Sequence, residues 1–154
     1  MRIALIHPQI PPNTGNVARL CAATRTELHL VRPLGFEISD RHLRRAGLDY
    51  WEFLDLAVHD DWEAFLDSVP EPSLHFFSKK ARRSYVEADL SGDVSLVFGS
   101  ETQGLHQALW QRFPKRFWRI PLFHPGVRSL NLSSAVAAAA YESLRQQGRL
   151  RDQH

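Results

Sequence analysis

The sequence predicts an α/β fold with a mostly parallel sheet and helices on both of its faces. Short apolar runs of strand length recur along the chain, and each ends in a polar or Pro/Gly-rich loop. Segments of helical character separate them, and an alanine-rich helix closes the chain. Such alternation suits a parallel sheet, because parallel strands must be joined by crossovers.

Arg2 to Ile6 is a buried-strand run that stops at His7-Pro8. The next loop, from Gln9 through Pro11 and Pro12 to Gly15, is rigid at its prolines and free at its glycine. Asn16 to Thr24 reads as a helix with Val17, Leu20 and Cys21 on one face, and Leu28 to Val31 as a second strand. Asp40 is suited to cap a helix carrying Arg41, Arg44 and Arg45. Asp60-Asp61-Trp62-Glu63 has a carboxylate cap with Glu three residues on, so a helix should run to about Ser68. Leu74 to Phe77 and Val94 to Phe98 have strand length, and Trp118 to Leu122 fits a last short strand. Leu132 to Gln147 is the clearest helix, with Gly148 at its C′ position.

The composition narrows the function classes. With 154 residues, 44% hydrophobic and 23% charged, the chain suits one globular domain. No run approaches the roughly 20 apolar residues of a bilayer span, and the N-terminus reads as a strand rather than a signal peptide. The single cysteine, Cys21, excludes an internal disulfide, so the expected compartment is the cytoplasm. Net charge is only +2, yet 16 of the 19 basic residues are arginine, since lysine stands only at Lys79, Lys80 and Lys115. Guanidinium forks match phosphate oxygens and stack on bases. The basic residues cluster at 41–45, 79–83, 115–119 and 145–151, which fits an RNA substrate as well as ordinary solvated faces. The eight histidines show no metal-ligand spacing, and no metal is expected.

In parallel sheets ligands lie beyond the carboxyl ends of the strands, so the candidate site is in the loops. Asn13-Thr14-Gly15-Asn16-Val17-Ala18-Arg19 offers a helix N-terminus to an anion with Arg19 a turn further in, or simply a cap and a surface arginine. Phe98-Gly99-Ser100-Glu101-Thr102-Gln103-Gly104-Leu105 brackets a polar turn with glycines straight after a strand. It lacks the Lys-Ser/Thr of a phosphate loop and one glycine of a dinucleotide fingerprint, and it could be a plain strand-to-helix turn. Ile120-Pro121-Leu122, followed by Ser129-Leu130-Asn131-Leu132-Ser133, leads a Pro/Gly loop into the last helix. Ser129 and Asn131 are each good caps, but together they exceed what one cap needs.

These three segments, Asn-x-Gly-Asn-x-x-Arg, Phe-Gly-x-Glu-x-x-Gly-Leu and Ile-Pro…Ser-x-Asn-Leu-Ser, resemble the three motifs of the SPOUT class of RNA methyltransferases. Leu43-Arg44-Arg45-Ala46-Gly47-Leu48-Asp49-Tyr50 and the minimal length resemble the TrmL type, which methylates the ribose 2′-oxygen of the tRNA wobble nucleotide. The loop His124-Pro125-Gly126-Val127-Arg128 is one residue longer than that pattern.

The resemblance implies a C-terminal trefoil knot, S-adenosylmethionine as methyl donor, and a cytidine or uridine at position 34, expected in leucine isoacceptors. It implies cofactor contacts from Phe77, Ser78, Gly99, Glu101, Gly104, Ile120, Leu122 and Ser129. Arg19, Glu101, Ser129 and Asn131 become the catalytic candidates, Arg19 as an electrostatic stabiliser because a guanidinium keeps its proton beyond a pKa of about 12. It further implies a homodimer through the first and last helices, with Tyr141 at the interface. Tyr50, Trp51 and Phe123 are candidates to stack on a base. A catalytically silent RNA-binding or ribosome-assembly module that retains the cofactor pocket, and a nucleotide-dependent α/β enzyme using the Gly99–Gly104 loop, remain as alternatives.

Overall fold

The computed structural model describes residues 1–39, 45 and 48–151. The helix expected from Asp40 onward lies outside the described residues, Arg45 apart.

The strands are β1 (Arg2–Ile6), β2 (Glu27–Val31), β3 (Leu56–His59), β4 (Leu74–Phe77), β5 (Arg83–Ser84), β6 (Ser95–Phe98) and β7 (Phe117–Arg119). The α-helices whose bounds lie among the described residues are α1 (Pro11–Thr24), α2 (Trp62–Ser68), α3 (Gln107–Arg112) and α4 (Leu132–Gln146). The strands form one seven-stranded sheet in the order β3-β2-β1-β6-β4-β7-β5, and every pairing is parallel.

Successive residues of each strand feed opposite faces, so the sheet separates two cores. Ile3 and Leu5, Leu28 and Leu30, Leu96 and Phe98, with Phe77 and Trp118, pack against Val17, Ala18 and Cys21 of α1 and Val136, Ala139 and Ala140 of α4. On the other face Ala4, Ile6, Val31, Phe76, Val97 and Phe117 pack against Phe65 of α2, Leu109 of α3 and Phe113. Helices therefore cover both faces, as expected. Phe76 is fully buried, with ring centroids 5.2 Å from Phe113 and 4.9 Å from Phe117.

The segment from Pro11 to Gly15 is helical, not the expected loop. Two prolines occupy its first turn, where their missing N–H groups cost nothing and their fixed φ already suits a helix. Gly15 is thus a buried helix residue rather than a hinge. The α2 N-cap is Asp61, whose Oδ1 accepts from the Ala64 amide at 2.8 Å, so Glu63 follows the cap by two residues and not by the expected three. Gly148 takes φ +69° at the end of α4, and its N–H reaches the Arg145 carbonyl at 3.1 Å.

β7 ends at Arg119, short of the expected Leu122, because Pro121 has no N–H for the ladder. β3, β5 and α3 were not expected. β3 is a half-buried edge strand, β5 is two residues defined by pairing with β7, and α3 is too short to show a period.

β7 lies between β4 and β5, although those two strands are consecutive in the chain. Phe77 and Arg83 both stand beside Trp118, so the link 78–82 crosses β7. The Ser78 amide donates to the Trp118 carbonyl at 2.9 Å on the way.

Candidate active site

The carboxyl ends of β1, β4, β6 and β7 open into one cavity of about 520 Å³. Ile10 and Asn13 reach it from the start of α1, Ser78 to Lys80 follow β4, Gly99 to Leu105 follow β6, and Ile120, Leu122 and Ser129 to Leu132 follow β7. Phe77 and Phe98, stacked with centroids 4.8 Å apart, supply an apolar floor, and Ile120 and Leu122 are half-buried walls.

The turn after β6 closes on itself. Gly104 donates its N–H to the Ser100 carbonyl at 2.9 Å and adopts φ +69°. A Cβ on Gly99 would stand 2.1 Å from the Gly104 carbonyl carbon, so only glycine permits this closure.

Glu101 leads away from that turn to the other side of the cavity. Its carboxylate accepts from the Gln9 amide at 2.8 Å, the Ile10 amide at 3.1 Å and the Asn13 Nδ2 at 3.2 Å. The start of α1 has neither a side-chain cap nor an acidic residue in its first turn. Glu101 therefore satisfies its orphan donors and places negative charge at the positive end of the helix dipole.

Asn13 in turn accepts on Oδ1 from the Asn131 Nδ2 at 2.9 Å. Asn131 caps α4, its Oδ1 accepting from the Ser133 amide at 2.9 Å and the Ser133 hydroxyl at 2.7 Å. Asn131 is thus at once the cap of α4 and part of the cavity lining. Ser129 is exposed on the rim and is not the cap.

Of the residues singled out from sequence, Phe77, Ser78, Gly99, Glu101, Gly104, Ile120, Leu122, Ser129 and Asn131 all line this cavity. Arg19 does not. It lies six residues beyond Asn13, about 9 Å along the helix, exposed, with its guanidinium 4.8 Å from the Tyr50 ring centroid and Nη2 3.5 Å from the Tyr50 hydroxyl. Glu101 accordingly holds the α1 backbone and Asn13, not Arg19. Sequence reasoning passed over Asn13 as a site residue, although it opens the first motif, and treated Lys79 and Lys80 only as part of a basic cluster.

A sequence model of the SpoU rRNA methylase family matches residues 1–141. The chain belongs to this family. A relative of this SpoU methylase in Burkholderia cenocepacia (strain HI2424), named tRNA (cytidine(34)-2′-O)-methyltransferase, is 49% identical over 150 residues, 95% of each chain. A solved structure concerned with the 2′-OH methylation of C/U34 on tRNA shares 45% identity with a TM-score of 0.88, over 96% of this chain and 95% of that one. The SpoU methyltransferase AviRb from Streptomyces viridochromogenes, solved in complex with AdoMet, superposes with a TM-score of 0.83 at 21% identity, covering 96% of this chain and 60% of that one, and so shares the fold.

Elsewhere in this SpoU methylase two groups are held out of acid–base chemistry. Burial pushes the Cys21 thiol up to about 12. Burial, with Arg116 nearby, pushes His75 down to about 4, and its Nδ1 accepts from the Trp118 Nε1–H at 3.1 Å. No helix is long and apolar enough to cross a membrane, and no metal-binding cluster occurs among the described residues.

Proposed function

We propose that this protein transfers a methyl group from S-adenosylmethionine to the ribose 2′-hydroxyl of nucleotide 34, cytidine or uridine, of tRNA, with leucine isoacceptors as the expected substrates. The observation that carries this reading is the convergence of three segments, far apart in sequence, on one cavity at the carboxyl edge of the sheet. The names of the relatives support the same reaction.

The cavity suits the cofactor. About 520 Å³ falls within the range of small-molecule sites, and its lining joins an apolar half to a polar one. Phe77, Ile120 and Leu122 would enclose the adenine, while Ser78, Ser129 and the Gly99–Gly104 backbone would take the ribose and methionine portions. S-adenosylmethionine, when bound, supplies a methyl carbon made electrophilic by its sulfonium. The protein's task is then to align a ribose oxygen with that carbon and to stabilise the charge that oxygen develops. Asn13, Glu101 and Asn131 fix the start of α1 against the start of α4 and so hold the cavity in shape. Ser129, free on the rim, is placed to orient the ribose. Arg19 would stabilise the developing oxyanion or clamp the adjoining phosphate.

Arg19 is outside the cavity of its own subunit, which favours its acting at a partner's cavity in a homodimer formed through α1 and α4. Tyr141, exposed on α4, is the interface aromatic in this reading. The link 78–82 crossing β7 supports a trefoil knot formed by the C-terminal segment, and the cytoplasm is the compartment where the tRNA substrate would be met.

Incubation with methyl-labelled S-adenosylmethionine and tRNA from a strain lacking the gene should label position 34 as a 2′-O-methyl nucleotide. Label on a base, or on none of the RNA, would overturn the reading. Arg19→Ala should lose turnover by at least about a hundredfold while binding the cofactor normally. Mixed dimers of Arg19→Ala with a cavity-defective subunit should recover activity if the arginine acts across the interface.

A further inference from the structure

Two features at the cavity are not accounted for by the cofactor. The loop 123–128 connects Leu122 to Ser129, both of which line the cavity. No large apolar side chain among the described residues is more exposed than Phe123, at 96%. The loop is nonetheless shaped: His124 accepts the Gly126 amide on Nδ1 at 3.1 Å, and its carbonyl accepts the Val127 amide at 3.1 Å. The ring thus stands one residue from the cavity wall, on a turn held by its neighbour.

Lys79 and Lys80, which follow β4, are exposed and line the same cavity. Among the described residues neither they nor Arg128 forms an ion pair with a carboxylate. The one acidic side chain on the lining, Glu101, is already committed to three donors. The mouth is therefore positive. S-adenosylmethionine carries a sulfonium, an ammonium and one carboxylate, so a pair of lysines adds little for it, whereas a phosphodiester chain matches them. A solvated aromatic ring one residue from the cavity lining matches an unstacked nucleobase.

We propose that Phe123 and the Lys79–Lys80 pair form an RNA cradle at the cavity mouth. Phe123 stacks on a nucleobase of the anticodon loop, while Lys79, Lys80 and Arg128 receive phosphates beside it. This rests on the tRNA methylation reading and adds the residues that grip the RNA.

The test uses the full-length protein, a fluorescent anticodon stem-loop RNA followed by anisotropy, and calorimetry with S-adenosylmethionine. Phe123→Ala should weaken RNA binding roughly tenfold and Phe123→Tyr should restore it, because the phenol keeps the stacking face. Joint Lys79→Ala and Lys80→Ala should lower the slope of log K against log salt by about 1.4, the value for two single-strand phosphates. Cofactor affinity should hold in all of these. Unchanged RNA binding in either variant overturns the cradle. So does lost cofactor affinity in the lysine variant, which would assign the lysines to the methionine carboxylate. Dissociation of Phe123→Ala in sedimentation would place the ring in a subunit interface instead. If the unaltered protein methylates no tRNA, the functional reading itself fails, a result read before any variant is made.

Discussion

Glu101 shows how much one side chain can join. Three donors from the α1 start converge on its two oxygens, although the residues lie about 90 positions apart in sequence. Glu101→Ala would strip a helix start of its only charged cap and leave the Asn13 amide short of one acceptor. The expected loss is about 2 kcal/mol in urea denaturation, with Glu101→Gln recovering part of it through its remaining oxygen. Gly99 is as constrained for a steric reason. Gly99→Ala would force the 100–104 turn open, and the cavity should lose its cofactor affinity in calorimetry while the sheet stays folded, since β6 ends at Phe98. At this scale the sequence showed that Gly99, Glu101 and Gly104 belonged together. It did not show that Glu101 faces α1, because its partners are mainly backbone amides, which carry no residue identity.

Among the elements, those with a strong internal pattern were legible. β1, β4 and the capped α2 occupy the segments expected of them, and α4 stops within a residue of its expected end. The misjudged elements have boundaries set by partners or local sterics. Pro11 and Pro12 resemble a loop in isolation, yet they open α1 without penalty. β5 exists only because Arg83 and Ser84 meet Trp118 and Arg119. The best-buried aromatic cluster lies where β4 and β7 meet the second core. Phe76→Ala should therefore cost about 3–5 kcal/mol in global unfolding, the rings of Phe113 and Phe117 losing their shared neighbour.

For the whole molecule, one buried and two half-buried histidines set a pH limit. Folded, His75 stays neutral down to about 4, whereas an unfolded histidine protonates near 6.5. The unfolded chain binds the extra proton between those values. Stability is therefore complete above pH 6.5 and falls as pH drops toward 4, by at most ~3 kcal/mol from this group. His29 and His59, lowered chiefly by burial, push the same way. Urea midpoints at pH 7.5 and 4.5 should show the decline, and His75→Leu should make it shallower, leaving the share of His29 and His59.

The order of apolar runs and breakers in this chain determined the α/β class, and the three polar loop motifs determined which residues, Arg19 excepted, would gather beyond the strand ends. Both follow from local chemistry, since a strand period, a proline and a glycine pair act over a few residues. Tertiary structure alone decided that β7 enters between β4 and β5, that Glu101 caps a helix from another loop, and that Arg19 stands outside the cavity its motif belongs to. Those outcomes depend on contacts between segments about 30 to 120 residues apart, whose geometry is settled only when both cores close on the sheet.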